Sequence, residues 1–260
     1  MLKTYRESIL VRTCDCDMSG RMSVSRIFAF LQEGAGVHAH LLGCGRDVML
    51  KNGIVWVLAR SELHMDRYPA VGETLCMETF PMPNRRWFFP RYFILTDEAG
   101  LVLGKAATLW LLMDFKTRAM APPDLALTYL PDNSDLDAPL PFPGNVTPVY
   151  GEAQLSVRKP EYSDIDVNLH VNNTRYGDWL CDALGMKVMR RREIARLLIH
   201  YQREIKPEQE IRLSLQCNGD AARMTGIHED AKHFDMGVIL RDRATACEGD
   251  ETGYSLFTRS

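Results

Sequence analysis

Residues 162–176 read YSDIDVNLHVNNTRY. Asp164, Asp166, Asn168, His170, Asn172 and Asn173 fall within ten residues and alternate with Ile165, Val167, Leu169 and Val171. A period of two is that of a half-buried extended segment. It would set Asp166, Asn168 and His170 on one face as a carboxylate, an amide and an imidazole. The competing reading is an Asx-rich surface turn leading into a helix, because Asp and Asn favour turns and N-caps.

The stretch has an echo upstream. Residues 15–31, DCDMSGRMSVSRIFAFL, align without gaps to 164–180, DIDVNLHVNNTRYGDWL, with Asp15/Asp164, Asp17/Asp166, Arg26/Arg175 and Leu31/Leu180 identical. Chance alignment of average sequences would give roughly one identity. RYPAVGETL (67–75) likewise resembles EIKPEQEIRL (204–213), so the economical reading is internal duplication. In the first copy Ile27, Phe30, Leu31, Gly34, His38, Leu41 and Leu42 keep helical spacing. This predicts a long helix begun by Ser23 or Ser25 and stopped near Gly43-Cys44-Gly45. IVWVLARSEL, TLCMETF, RWFFPRYFIL and LVLGKAATLWLLM follow as strands. In the second copy a shorter helix carries Tyr176, Trp179, Leu180, Ala183 and Leu184, and RLLIHYQREI, EIRLSLQC and FDMGVILRD read as strands. One helix followed by strands on short connections is an α+β pattern with antiparallel pairing. Between the copies, five of the thirteen prolines fall in 131–150, a composition that excludes helix and central strand and reads as a linker. The expected organisation is 1–130, a linker 131–150, and 151–260.

The chain of 260 residues is 46% hydrophobic and 25% charged, the balance of a globular protein with a sizeable core. A net charge of −3 argues against a general nucleic-acid binder. No apolar run has the length of a membrane span, and MLKTYRESILVRT has neither an apolar signal core nor a small-residue cleavage site, so a cytoplasmic location is expected. The seven cysteines (14, 16, 44, 76, 181, 217, 247) form no C-x-x-C pair, which speaks against a disulfide framework or zinc ribbon. They are read as small buried or half-buried residues. His38 and His40 read as core or pocket wall, no histidine has metal-ligand spacing, and neither a metal nor a cofactor is expected.

A duplicated helix-plus-antiparallel-sheet unit with D-x-N-x-H-V-N-N before its second helix resembles the acyl-acyl carrier protein thioesterases. SDIDVNLHVNNTRYGDW (163–179), HYQRE (200–204), DRYPAVGETL (66–75) and ATLWLLMDFKTRAMAPPDL (107–125) carry the resemblance. It implies two tandem hot-dog domains, each a long helix wrapped by a curved sheet. It places the catalytic set on Asp166, Asn168, His170 and Glu204. Plant members have a cysteine directly after the acidic residue; here Ile205 stands there and cannot act as a nucleophile.

Thioester hydrolysis needs an activated water or nucleophile and a stabilised oxyanion, while a thiolate leaves with little acid help. Glu204 is the expected general base, with His170 sharing the proton and Asp166 orienting Asn168 or His170. Direct attack by a carboxylate through a short-lived anhydride is the alternative. Asn172 and Asn173, where the second helix begins, would offer backbone N–H groups as an oxyanion site. The first copy has Ser19, Arg21 and Asp66 at the positions of Asn168, His170 and Glu204. One active site per chain follows, and Phe28, Phe30, Leu31 and Ala35 of the first helix are free to line an acyl pocket or simply to form core. The implied partner is an acidic acyl carrier protein bearing acylated phosphopantetheine, which calls for a basic docking face. Arg85, Arg86 and Arg91, or Lys187, Arg190, Arg191 and Arg192, are the candidates. Alternatives are a hot-dog hydrolase of acyl-coenzyme A and a non-catalytic acyl-binding sensor; the sensor lacks room for a DNA-binding helix-turn-helix. A tandem already supplies the two-unit sheet, so monomer and homodimer are both compatible, and acyl length is not legible.

Overall fold

The structure, a computed structural model, describes residues 1–243; Cys247 lies outside them. Ten strands form one sheet: β1 (Tyr5–Leu10), β2 (Ile54–Met65), β3 (Thr74–Pro81), β4 (Phe89–Thr96), β5 (Val102–Asp114), β6 (Ala153–Arg158), β7 (Arg192–Tyr201), β8 (Ile211–Asn218), β9 (Ala221–His228) and β10 (Ala231–Asp242). Their order is β1-β3-β4-β5-β2-β7-β10-β9-β8-β6, and each neighbouring pair is antiparallel. Read inward from its two edges, the sheet repeats one five-stranded order twice. The halves join where β2 pairs with β7, Arg60 opposite His200 and Leu63 opposite Leu197. This is the tandem hot-dog fold.

Helix α1 (Val24–Leu41) begins at Ser23, whose hydroxyl accepts from Arg26 N at 3.4 Å. It lays Ile27, Phe28, Leu31, Ala35 and His38 into the concave face, each large apolar side chain stabilising the fold by roughly 1.5–3 kcal/mol. Leu41, placed by its spacing on the same stripe, is exposed. The chain then forms a short α2 (Arg46–Lys51), where the glycine-rich sequence suggested only a stop. In the second half α4 (Arg175–Leu184) is shorter and is followed by α5 (Met186–Met189). The two long helices pack together at Gly177, where a Cβ would lie 3.0 Å from Val24 Cγ1. One core runs through both halves, from Val11 and Phe93 to Trp179, Phe234 and Leu240.

The proline-rich segment is irregular, yet it is no free tether. Leu140 packs on Phe80, Tyr92 and Ala107 on the outer sheet face, and Asn133 is buried, donating to Lys3 O and Pro81 O. Short α3 (Asp124–Leu127) precedes it.

Arg91 corrects one docking candidate. It points from β4 to the inner face and is 7% exposed, donating to His38 Nδ1 at 3.1 Å and Thr79 Oγ1 at 3.2 Å. Burial lowers its pKa to about 10. His38 in turn donates from Nε2 to Leu2 O at 3.2 Å. This arrangement needs the neutral imidazole, since Nδ1 accepts from a cation. Burial, then the Arg91 charge, lowers the His38 pKa to about 4. Below the unfolded value of about 6.5 the unfolded chain takes up a proton that the folded one refuses, so stability falls with pH until the folded pKa is reached. The expected loss between pH 7 and pH 4.5 from this residue is about 2 kcal/mol. Urea unfolding of wild type and His38→Gln at both pH values checks it; equal pH dependence in the two proteins would contradict it.

Candidate active site

The alternation in 165–171 does not become a strand. Ile165 bridges Val171, and the intervening residues fold into a tight turn, with Leu169 N donating to Asp166 O at 3.0 Å and Asp166 N to His170 O at 2.9 Å. The Asp166 carboxylate closes it by accepting Asn168 N at 2.8 Å, the local bond that makes Asp a turn former. Val167 and Leu169 are consequently 81% and 71% exposed, and Asp166, Asn168 and His170 do not share an extended face. The first copy folds identically: Gly20 N donates to Asp17 O, Asp17 N to Arg21 O and Ser19 N to Asp17 Oδ1. Gly20 has φ +71° and its counterpart Leu169 +62°, a left-handed conformation that a leucine adopts at a cost of about 1–2 kcal/mol. Asp15 and Asp164, buried in both copies, each accept a backbone N–H three residues upstream at 3.0 Å.

Glu204 lies three residues beyond the end of β7, not within the strand. Its position is set by main-chain bonds: Val171 N donates to Ile205 O at 2.8 Å, and His233 Nδ1 donates to Glu204 O at 3.1 Å. The His170 and Glu204 side chains therefore meet, Nε2 to Oε2 at 3.2 Å. The other carboxylate oxygen contacts the Arg118 guanidinium. Asn168 turns elsewhere. Its Nδ2 donates to Asp166 Oδ2 at 3.3 Å and its Oδ1 accepts from Arg46 at 3.3 Å. Among the described residues no hydrogen bond links it to His170 or Glu204. Arg46 and Arg118 come from the first half and escaped sequence reasoning, because nothing local in α2 or in DFKTRA announces a partner more than eighty residues away.

The helix N-terminus is only partly open. Asn172 lies two residues before Thr174, the N-cap of α4, and its Oδ1 accepts Thr174 N and Oγ1, both at 3.0 Å, while its own N–H donates to Asp164 O at 2.8 Å. That N–H is thus spent, contrary to the expectation for it. The Asn173 N–H has no protein partner among the described residues, and the Asn173 carbonyl accepts from Tyr201 Oη at 3.1 Å.

Asn173, Thr174 and Tyr201 form one end of an apolar slot between the halves. Phe28, Leu31, Gln32 and Ala35 of α1, Leu58 and Ser61 of β2, Phe93 of β4, and Thr108 and Trp110 of β5 complete it. Phe30, the fourth candidate of α1, does not line the slot and is buried in the same core as the other three. The slot encloses about 20 Å³, space for about one water, so a longer occupant must part its walls.

Cys181 is no nucleophile here: burial, then the Asp178 charge, raises its pKa to about 12. Ile205 is fully buried. Among the described residues no group of three or more His, Cys, Asp or Glu could hold a metal ion, and no helix is long and apolar enough to cross a membrane. Arg192 is tied to Asp220 and Asp242, which weakens it as a docking residue. Arg85, Arg86, Lys187, Arg190 and Arg191 stay exposed.

Comparison with known proteins gives this geometry its setting. The acyl-ACP thioesterase N-terminal domain matches residues 2–124 and the acyl-ACP thioesterase C-terminal domain residues 149–245. The chain is 26% identical over 213 residues to the chloroplastic palmitoyl-acyl carrier protein thioesterase of Cuphea hookeriana, covering 77% of this chain and 51% of that one. It is 28% identical over 222 residues to oleoyl-acyl carrier protein thioesterase 1 of Arabidopsis thaliana, covering 79% and 61%. The chain thus spans about half the length of the first curated relatives it matches. The crystal structure of an acyl-ACP thioesterase from Bacteroides thetaiotaomicron superposes with a TM-score of 0.83 at 21% identity, covering 92% of this chain and 98% of that one. The 12:0-ACP thioesterase from Umbellularia californica superposes with a TM-score of 0.77 at 20% identity, with the same coverage. With both domain profiles matched in order along a tandem hot-dog fold, the chain belongs to the acyl-ACP thioesterase family.

Proposed function

We propose that this protein hydrolyses the thioester of fatty acyl-acyl carrier protein and releases free fatty acid. The observation that carries the reading is the His170–Glu204 pair at 3.2 Å, set at the start of the helix whose first residues open onto an apolar slot. The second half, 151–260, supplies the chemistry, and the first, 1–130, supplies α1 with Phe28, Leu31 and Ala35 as one wall of the acyl pocket.

Glu204 and His170 act as one base unit. Water attacks the thioester carbonyl carbon, and its proton passes to Glu204 with the imidazole sharing the charge. The carbonyl oxygen, now anionic, is met by the free Asn173 N–H at the positive end of α4 and by the amide hydrogen of Asn168 not taken by Asp166. Collapse of the intermediate expels the pantetheine thiolate, which takes up the proton, and leaves the carboxylic acid. Asp166 serves by fixing the Asn168 amide. The partner is an acidic carrier whose prosthetic arm enters at this end of the slot, and the exposed Arg85, Arg86, Lys187, Arg190 and Arg191 are the docking candidates.

Three substitutions test the assignment. Asn168→Ala, His170→Ala and Glu204→Gln are each expected to lower kcat/KM on acyl-carrier substrates by about 10²–10⁴-fold. Thermal midpoints should stay close to wild type, because these side chains lie in a solvent-facing turn and loop. Loss of folding in place of loss of turnover would return the segment to a structural role. A panel of acyl-carrier and acyl-coenzyme A substrates of graded length separates the two thioester classes; the reading predicts the higher kcat/KM on the carrier.

Cys181→Ser and Cys217→Ser should leave kcat within about twofold, since burial raises both thiols and neither touches the pair. Inactivation of a folded variant by either would revive a thiol mechanism.

A further inference from the structure

We propose that Arg118, contributed by the first half, is a positioning residue for the chemistry of the second: it holds one oxygen of Glu204 so that the other faces His170. The proposal rests on the reading of Glu204 and His170 as the base. Arg118 stands in the turn that follows β5. Asp114 builds that turn, its carboxylate accepting Thr117 N at 2.7 Å and Lys116 N and Thr117 Oγ1 at 3.0 Å. The Asp114 carbonyl accepts Arg118 N at 3.0 Å, and Asp114 N donates to Ala119 O at 2.8 Å. Within this frame Arg118 adopts φ +59°, a left-handed conformation uncommon for any residue but glycine. The frame directs its guanidinium across the joint to Glu204 Oε1, while Oε2 keeps His170 Nε2 at 3.2 Å.

Each carboxylate oxygen therefore has a different partner, one from each half of the chain. Glu204 lies on a loop beyond β7, outside any strand ladder, with its side chain 39% exposed, and these two contacts hold its two carboxylate oxygens in place. An exposed ion pair by itself stabilises a fold very little. A pair that ends on an imidazole is instead placed to act on turnover. Arg46 treats the second polar group alike, donating to Asn168 Oδ1, so arginines of the first half hold both the acid and the amide of the second.

The test is steady-state kinetics on an acyl-carrier substrate with the full chain. Arg118→Met should lower kcat by roughly 30-fold with KM within about threefold, as expected for a displaced catalytic group, and with an unchanged melting midpoint. Arg118→Ala should regain part of the lost kcat in millimolar guanidinium and none in equimolar urea. Should Arg118→Met fold poorly, Arg118→Gln carries the same measurement. Wild-type kcat in a folded Arg118→Met or Arg118→Gln, or no guanidinium-specific recovery in Arg118→Ala, overturns the proposal. Glu204→Gln run in parallel separates the two failures. If it is inactive while Arg118→Met is unimpaired, only the role of Arg118 falls; if it is fully active, the base assignment falls and takes this role with it.

Discussion

The antiparallel ladder between β2 and β7 is the interaction on which the rest depends. Its five register pairs, Arg60 with His200 through His64 with Arg196, turn two five-stranded sheets into one and, among the described residues, leave β1 and β6 as the edges. Without it each half would expose a further row of unpaired main-chain groups. The same ladder sets the site. Leu58 and Ser61 on one side and Tyr201 on the other line the slot, and Tyr201 reaches Asn173 from β7. The Gly144 carbonyl accepts from both Arg60 and His200, so the proline-rich crossing is fastened over the joint.

Duplication gives one fold the means for the proposed division of labour. Both copies keep the buried Asp that ties the turn to its helix, and both close the turn with a second Asp. What differs is what the turn meets. In the first copy Arg243 donates to Ser19 Oγ at 2.6 Å and Asp17 Oδ2 at 3.1 Å, and Arg21 donates to Tyr68 O at 2.9 Å. Ser19 and Asp17 are consumed in a clasp with the second half, and Arg21 is spent on a carbonyl of its own half. In the second copy the equivalent positions carry an amide with a spare donor and an imidazole facing a carboxylate. A structural clasp and the proposed base pair are thus alternative uses of one loop.

Much of this was legible in the sequence because it is local or repeated. The Asp15/Asp164 and Asp17/Asp166 matches marked the duplicated turn, and the apolar spacing from Ile27 to His38 marked α1. His170 and Glu204 were named through resemblance, and chain geometry then brought them together. Three strands left no clear signal: β1 and β6 are edges with exposed side chains, and β9 alternates small residues. The period of two in IDVNLHV misled because Asp166 satisfies the backbone locally and reverses the chain before a strand can form. Arg91 looked like a surface charge, yet it is buried against His38 and Thr79, an environment set by strand register and invisible in composition. Arg46 and Arg118 were beyond reach altogether, since their partners exist only once the halves are joined.

On the proposed reading, catalysis in the second half and acyl binding in the first meet at the β2–β7 joint. A crystal structure with a non-hydrolysable acyl-pantetheine thioether ketone tests it most directly. The ketone oxygen is expected within about 3 Å of Asn173 N, the carbonyl carbon facing the His170–Glu204 pair, and the alkyl chain between α1 and strands β4 and β5. An alkyl chain lying instead under α4, against β8 and β9, would contradict it.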